Sequence, residues 1–231
     1  KAQATPPRPP KVVVPVDDSV DPEQLEMDLR SVDGSEWSLP RMELLSRSST
    51  KDVDEAAVAE RGRRLEASLA EHGVETRLVG MVVGPTVTRY ELELGVGVKV
   101  SKVTNLNRDI AYALASSDVR IIAPIPGRQA IGVEVPNDDR DVVALGDILT
   151  SAEAAKARRP LEVGVGRDIA GRSVMVNLAT MPHVLIAGQT GAGKSSCLNS
   201  ILTSLMMRAT PEQVGLILID PKRVELTQYD R

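Results

Sequence analysis

The chain has 231 residues, enough for one large or two ordinary domains, and its 42% apolar content supports a core built without Phe and with one Trp and three Tyr. One cysteine excludes an internal disulfide framework and fits a reducing compartment. No apolar run reaches the roughly 18 to 20 residues that span a bilayer and no signal peptide opens the chain, so the segment is expected to be soluble and cytoplasmic, while a formal charge of −4 gives no electrostatic pointer to nucleic acid.

Residues 1–50 read as a disordered linker. Pro6, Pro7, Pro9, Pro10 and Pro15 favour extended polyproline conformations, and the acidic stretch from Asp17 to Asp28 has too little apolar surface to fold alone. Trp37 to Leu45 is an apolar island, read as a tether that docks on a neighbouring domain.

An α+β domain is expected over 51–157. Val53, Ala57, Val58, Leu65 and Leu69 give a helix from Asp52 that Gly73 stops. Glu75–Val83 and Val87–Leu94 alternate as strands joined through Gly84-Pro85-Thr86, with Thr88, Tyr90, Leu92 and Leu94 on the buried face. Gly95-Val96-Gly97-Val98 reads as a turn, since the third glycine and the helix of a dinucleotide fingerprint are missing. One helix is predicted over Val103–Leu114, with Leu106, Ile110, Ala113 and Leu114 on one side. Strands at Val119–Ala123 and Ala130–Val135 and a helical piece near Val143–Leu149 follow. Lys99, Lys102 and Arg108 are read as a solvated face, with a basic edge as the alternative.

The last part, 158–231, carries the chemistry. Strands at Leu161–Val165 and Ser173–Asn177 lead to Val184–Ala187, a short apolar run expected as a buried parallel strand. It enters Gly188-Gln189-Thr190-Gly191-Ala192-Gly193-Lys194-Ser195-Ser196, a phosphate-binding loop. A polyphosphate needs donors that approach without side chains in the way, and the three glycines let backbone N–H groups turn inward. The helix that begins at Lys194 adds its positive dipole end. Lys194 is assigned to the β- and γ-phosphates of ATP and the Ser195 hydroxyl to Mg²⁺, with Ser196 completing the set. Cys197, Leu198, Ile201, Leu202, Leu205 and Met206 make the apolar face of that helix, Cys197 as a structural thiol, and Thr210-Pro211 ends it. Gly215–Ile219 is expected as a second buried strand ending in Asp220. The fold class expected is therefore α/β: a linker, a small α+β domain, then the start of a P-loop NTPase domain.

Several stretches together resemble the motor of FtsK/SpoIIIE DNA translocases. They are Gly84-Pro85-Thr86-Val87-Thr88-Arg89-Tyr90-Glu91, Lys99-Val100-Ser101-Lys102-Val103, Asp109 to Ala115, Arg120 to Arg128 and Ile131 to Asn137. Met181-Pro182-His183, the phosphate loop and Asp220 to Leu226 add to the likeness. The resemblance implies a homo-hexameric ring that pumps double-stranded DNA in chromosome segregation and cell division. It implies a motor α domain at 51–157, a RecA-like β domain from 158, a full-length protein held in the bacterial cell membrane with a cytoplasmic motor, and other division or segregation proteins as possible partners. It also implies that the catalytic Glu, the sensor residues and the trans-acting Arg lie beyond Arg231, so that this chain is a partial motor. Asp220 mimics a Walker B aspartate but is followed by Pro-Lys rather than Glu, and is read as a turn residue.

Two other classes stay open: a P-loop ATPase of a protein-secretion system, and a non-hydrolysing oligomerisation fragment. His72 and His183 carry no ligand spacing and are read as structural.

Overall fold

The computed structural model describes residues 11–13, 37–48 and 53–229, so most of the predicted linker lies outside the described residues. The chain divides into two compact units. One comprises the described residues of 1–16, 49–142 and 167–172, and the other those of 17–48, 143–166 and 173–231. Both mix helix and strand, which is the expected α/β class.

The first unit is a five-stranded sheet in the order β1-β2-β3-β5-β4. Its strands are β1 (Lys11–Val13), β2 (Thr76–Val83), β3 (Val87–Leu94), β4 (Arg120–Ile122) and β5 (Ile131–Pro136). Helix α1 (Glu55–Glu71) packs on one face. The Asp54 carboxylate caps it by accepting from the Ala57 N–H at 3.0 Å, worth about 1 kcal/mol. Gly73, at φ +67, ends it in the left-handed conformation that glycine adopts freely. Leu65 and Leu69 on α1 meet Leu78, Met81, Tyr90, Leu92, Val133 and Val135 from the sheet in one core. Leu78 and Met81 both reach it because the β2–β3 register shifts between Leu78 and Gly80, and the extra residue resets the alternation.

The buried face of β3 is the predicted one, but its other face holds a surprise: Glu91 is only 3% exposed. Its ladder partners are Gly80 on β2 and Gly132 on β5, and without their side chains there is room for a carboxylate to lie on the sheet. Arg89 donates to it at 2.9 Å and Arg128 donates to its other oxygen.

Three other expectations for this unit change. The predicted helix Val103–Leu114 is two, α2 (Val100–Thr104) and α3 (Asn107–Ala113). The run Val100-Ser101-Lys102-Val103-Thr104 is poor in strong helix formers, and Thr104 Oγ1 donates to the Ser101 carbonyl at 3.2 Å, so the first helix stops at Asn105. Ala113 is consequently exposed, whereas Val103 joins Ile110 and Leu114 in the core. Finally, Lys11–Val13 was expected as linker but pairs with β2, where Val12 extends the core.

The second unit contains α4 (Leu145–Leu149), α5 (Ala152–Lys156), the two-stranded sheet β6–β7 (Glu162–Arg167 and Ser173–Asn177) and α6 (Lys194–Arg208). Helix α5 escaped the sequence reading. Ser151 caps it, accepting from the Ala154 N–H at 3.2 Å. The apolar tether docks within this unit: Met42–Leu44 is a 3-10 turn, and Ser46 and Leu45 lie so close to Gly146 that a Cβ there would meet the Ser46 carbonyl oxygen at 2.5 Å. Beyond it, Asp147 accepts from the Ser48 N–H at 3.0 Å and from the Ser48 hydroxyl, and Arg47 donates to Thr150.

Neither Val184–Ala187 nor Gly215–Ile219 forms a strand. A strand exists through ladder pairing, and among the described residues neither run has a paired neighbour. Leu185 and Ile217, expected in a buried sheet, are each 91% exposed.

Candidate phosphate-binding site

Helix α6 is positioned by its C-terminal half. Leu202, Leu205 and Met207 are buried, while Met206, predicted inside, faces out. The reason is that Ser204 and Arg208 share the buried side through specific polar partners. Ser204 Oγ accepts from the Gly164 N–H at 3.0 Å, and Arg208 donates to the carbonyls of Ala154, at 3.2 Å, and Ala157. Burial pushes the Arg208 guanidinium below its ordinary value, opposed by the charge of Glu162. At the other end Asn199 Oδ1 accepts from Tyr229 Oη at 3.0 Å and Gln228 Nε2 at 2.8 Å. No local pattern foretold Ser204, Arg208 or Asn199, because their partners are far away in sequence. Cys197, expected buried, is half-buried.

The helix therefore begins at a fixed place, and the loop stands at its N-terminus. Gly193 is the capping residue at φ 77, ψ 53, and Gly191 has φ +81. Both lie in the left-handed region, where a side chain is strained, and such turns are what aim successive N–H groups inward. Gly188 is held differently: a Cβ on it would come within 3.1 Å of the Ala192 Cβ. The loop closes on itself through the Ala192 N–H, which donates to the Gln189 carbonyl at 3.1 Å, and through Lys194 Nζ, which donates to the Gly188 carbonyl at 3.3 Å. Helix geometry leaves the N–H groups of Lys194, Ser195 and Ser196 without intrahelical acceptors. Thr190 and Lys194 are exposed, and Ser195 is half-buried. The predicted residues 188–196 thus form one contiguous cradle open to solvent. Its donor set of backbone N–H groups, one ammonium and one hydroxyl suits a polyphosphate with its magnesium ion.

Asp220 is tied into a local turn. Its carboxylate accepts from the backbone N–H groups of Leu226 at 3.0 Å, Glu225 at 2.8 Å, Val224 at 2.9 Å and Lys222 at 3.2 Å. These bonds, that of Leu226 foremost, hold its acidity below the usual carboxylate value. Among the described residues no group of three or more His, Cys, Asp or Glu is placed to hold a metal ion. Nor is any helix among them long and apolar enough to cross a membrane.

A second concavity, of about 670 Å³, lies in the first unit over Tyr90. Asp54, Glu60, Asp138, Asp139 and Asp141 rim it, so its field opposes a polyphosphate, although Arg61 and Arg64 are present. Burial pushes the Tyr90 hydroxyl up to about 12, with Arg61 opposing and Asp138 adding.

Two left-handed glycines feeding a Lys-Ser helix start define a phosphate-loop protein. Comparison with known proteins carries this further: residues 39–137 match the FtsK alpha domain and residues 144–231 match the FtsK/SpoIIIE family. The chain belongs to that family. It is 52% identical over 194 residues to the DNA translocase FtsK of Streptomyces avermitilis, covering 84% of this chain and 21% of the relative. The FtsK proteins of Mycobacterium tuberculosis (50% over 201 residues, covering 87% and 24%) and Staphylococcus epidermidis (47% over 196 residues, covering 84% and 24%) are similar too. The chain thus spans about a fifth to a quarter of these relatives' length. Among solved structures, the conjugation coupling protein TcpA of pCW3, in its monomer form with ATPγS, aligns at 17% identity and a TM-score of 0.28, covering 63% of this chain and 42% of that one.

Proposed function

We propose that this chain is the opening portion of an ATP-driven motor that translocates double-stranded DNA. The observation that carries the reading is the cradle at 188–196 in a chain about half identical to DNA translocases. In this reading the first unit corresponds to a motor α domain and the second opens a RecA-like β domain. The loop N–H groups and Lys194 bind the β- and γ-phosphates of ATP, and Ser195 holds Mg²⁺. In this reading Asp220 serves its own turn, and the groups that polarise water and the loops that track DNA are supplied from outside this chain. The chain alone therefore binds ATP without turning it over. The complete protein is held in the bacterial cell membrane, and its cytoplasmic motor works as a homo-hexameric ring in chromosome segregation and cell division.

The test is ATP turnover by this chain and by a version extended through the rest of the motor, each with and without double-stranded DNA. DNA-stimulated turnover confined to the longer protein, and lost with Lys194→Ala, is expected. Turnover by the 231-residue chain that disappears with Lys194→Ala would overturn the partial-motor reading. Absence of DNA stimulation in the longer protein would favour a secretion-type ATPase.

A further inference from the structure

The cavity over Tyr90 in the first unit carries two side chains whose hydrogen-bonding capacity is unused. Tyr90 is only 1% exposed, its ring packed in the core beside Gly62, yet its hydroxyl has no hydrogen-bond partner among the described residues. Arg61 and Asp138, both on the cavity wall, act electrostatically on that hydroxyl, which places it at the cavity end of the ring. Arg61 does not satisfy it, because its guanidinium donates to the Pro136 carbonyl at 3.3 Å and to Asp138 at 2.8 Å. Thr88 and Asn137 are engaged as well: Thr88 donates to Asn137 Oδ1, and Asn137 Nδ2 to the Gly84 carbonyl, each at 2.8 Å. Asp141 is the second open group. It is half-buried on the same wall, and its carboxylate takes no hydrogen bond or ion pair from any described residue. Native interiors pair their polar groups, so a buried phenol with only a cavity before it marks a place for a ligand.

We propose that this cavity takes an arginine side chain from a peptide segment of a protein partner. A guanidinium is a planar fork of N–H donors with no acceptor, so it can donate to the Asp141 carboxylate and to the Tyr90 oxygen together. Ala57, Val58, Val83 and Leu114 line an apolar wall that the alkyl stem covers while its charged head is paired. The field selects a cation, because five carboxylates line the cavity against the two guanidinium groups of Arg61 and Arg64. Size and rim favour a peptide over a small cation. A volume of about 670 Å³ lies in the range of sites for drug-sized ligands, and the exposed carboxylates of Glu60, Asp138 and Asp139 are met only by a ligand that extends past the pocket. This inference does not depend on the motor reading.

An NMR titration of the full chain tests it. The peptide acetyl-Lys-Arg-Lys-amide should bind saturably, shifting the amides of Ala57, Leu114 and Asp141 and leaving those of the 188–196 loop in place. The same peptide with citrulline for its arginine keeps the shape without the charge, and should bind about tenfold more weakly. Butylguanidinium, which cannot reach the rim, should also bind more weakly than the peptide. Asp141→Asn and Tyr90→Phe should each weaken the peptide about tenfold. Tyr90→Phe keeps the ring in the core and removes an unpartnered hydroxyl, so its melting temperature should not fall. Unsaturable binding, equal affinity for the citrulline peptide, or unchanged affinity in either variant overturns the site. A lower melting temperature in Tyr90→Phe would show that the hydroxyl serves the fold, and overturns it too. Butylguanidinium binding as tightly as the peptide overturns the protein partner in favour of a small organic cation.

Discussion

The four backbone N–H groups gathered by Asp220 are held most strongly while its carboxylate is ionised. Because the folded-state acidity lies below the unfolded value, the stabilisation is fully present above the unfolded pKa of about 3.9 and is lost as pH falls through the folded one. Asp220 is half-buried and its bonds run only to residues 222–226, so the effect belongs to its turn and not to global stability. We predict that the amides of Val224, Glu225 and Leu226 shift and lose exchange protection together below about pH 4, and that Asp220→Asn reproduces the change at pH 7. Amides that stay protected through the titration would refute it. Asp168 titrates in the same sense: burial alone would raise it, but the side-chain hydrogen bond, backbone N–H and charge of Arg172, with the Ala170 N–H, outweigh that. At this scale the sequence was readable at Gly73, Gly191 and Gly193, whereas it started the first helix at Asp52 and missed the cap at Asp54. It was silent on Glu91, because one of its arginines is on a distant loop and its space comes from glycines on two other strands.

Gly146 shows how an element can be placed by a missing side chain. Inside a helix, glycine to alanine gains roughly 1 kcal/mol of helix propensity. Here the added Cβ would meet the Ser46 carbonyl oxygen at 2.5 Å and the Leu45 Cβ at 3.2 Å, and a backbone oxygen cannot step aside alone. Gly146→Ala is therefore expected to leave α4 helical and to lift the tether. Limited proteolysis should then cut within 40–48 several-fold faster, at a melting temperature changed by no more than a few degrees. Equal cleavage rates would show that the tether is held elsewhere. The tether lies against α4 at Gly146, yet none of its residues is buried and Trp37 and Leu44 are 56% and 75% exposed, so the apolar pattern of the island did not foretell how shallowly it sits. The break between α2 and α3 was hidden, since Val103, Leu106 and Ile110 keep helical spacing straight across it.

At the scale of the molecule, the unpaired runs at 184–187 and 215–219 are the main departure from expectation, and their residues are the reason the expectation was made. Val184, Leu185 and Ile186, like Leu216, Ile217, Leu218 and Ile219, are exposed apolar side chains. A contiguous apolar exposure of this kind marks a surface that another part of a protein covers, or one that aggregates. Sequence pattern reports what a segment would do beside a partner, whereas the fold reports the partners it has. If the rest of the motor supplies the neighbouring strands, one substitution must act in opposite directions in two settings. Ile217→Lys is predicted to raise the soluble yield of the 231-residue chain and reduce its association, measured by light scattering, because it places charge on an exposed run. In a chain extended through the motor the same lysine would enter a buried sheet, costing about 3 kcal/mol or more and lowering the melting temperature. Equal tolerance in both settings would mean that Gly215–Ile219 does not become a buried strand, and the assignment of the second unit to a sheet-centred motor domain would fall with it.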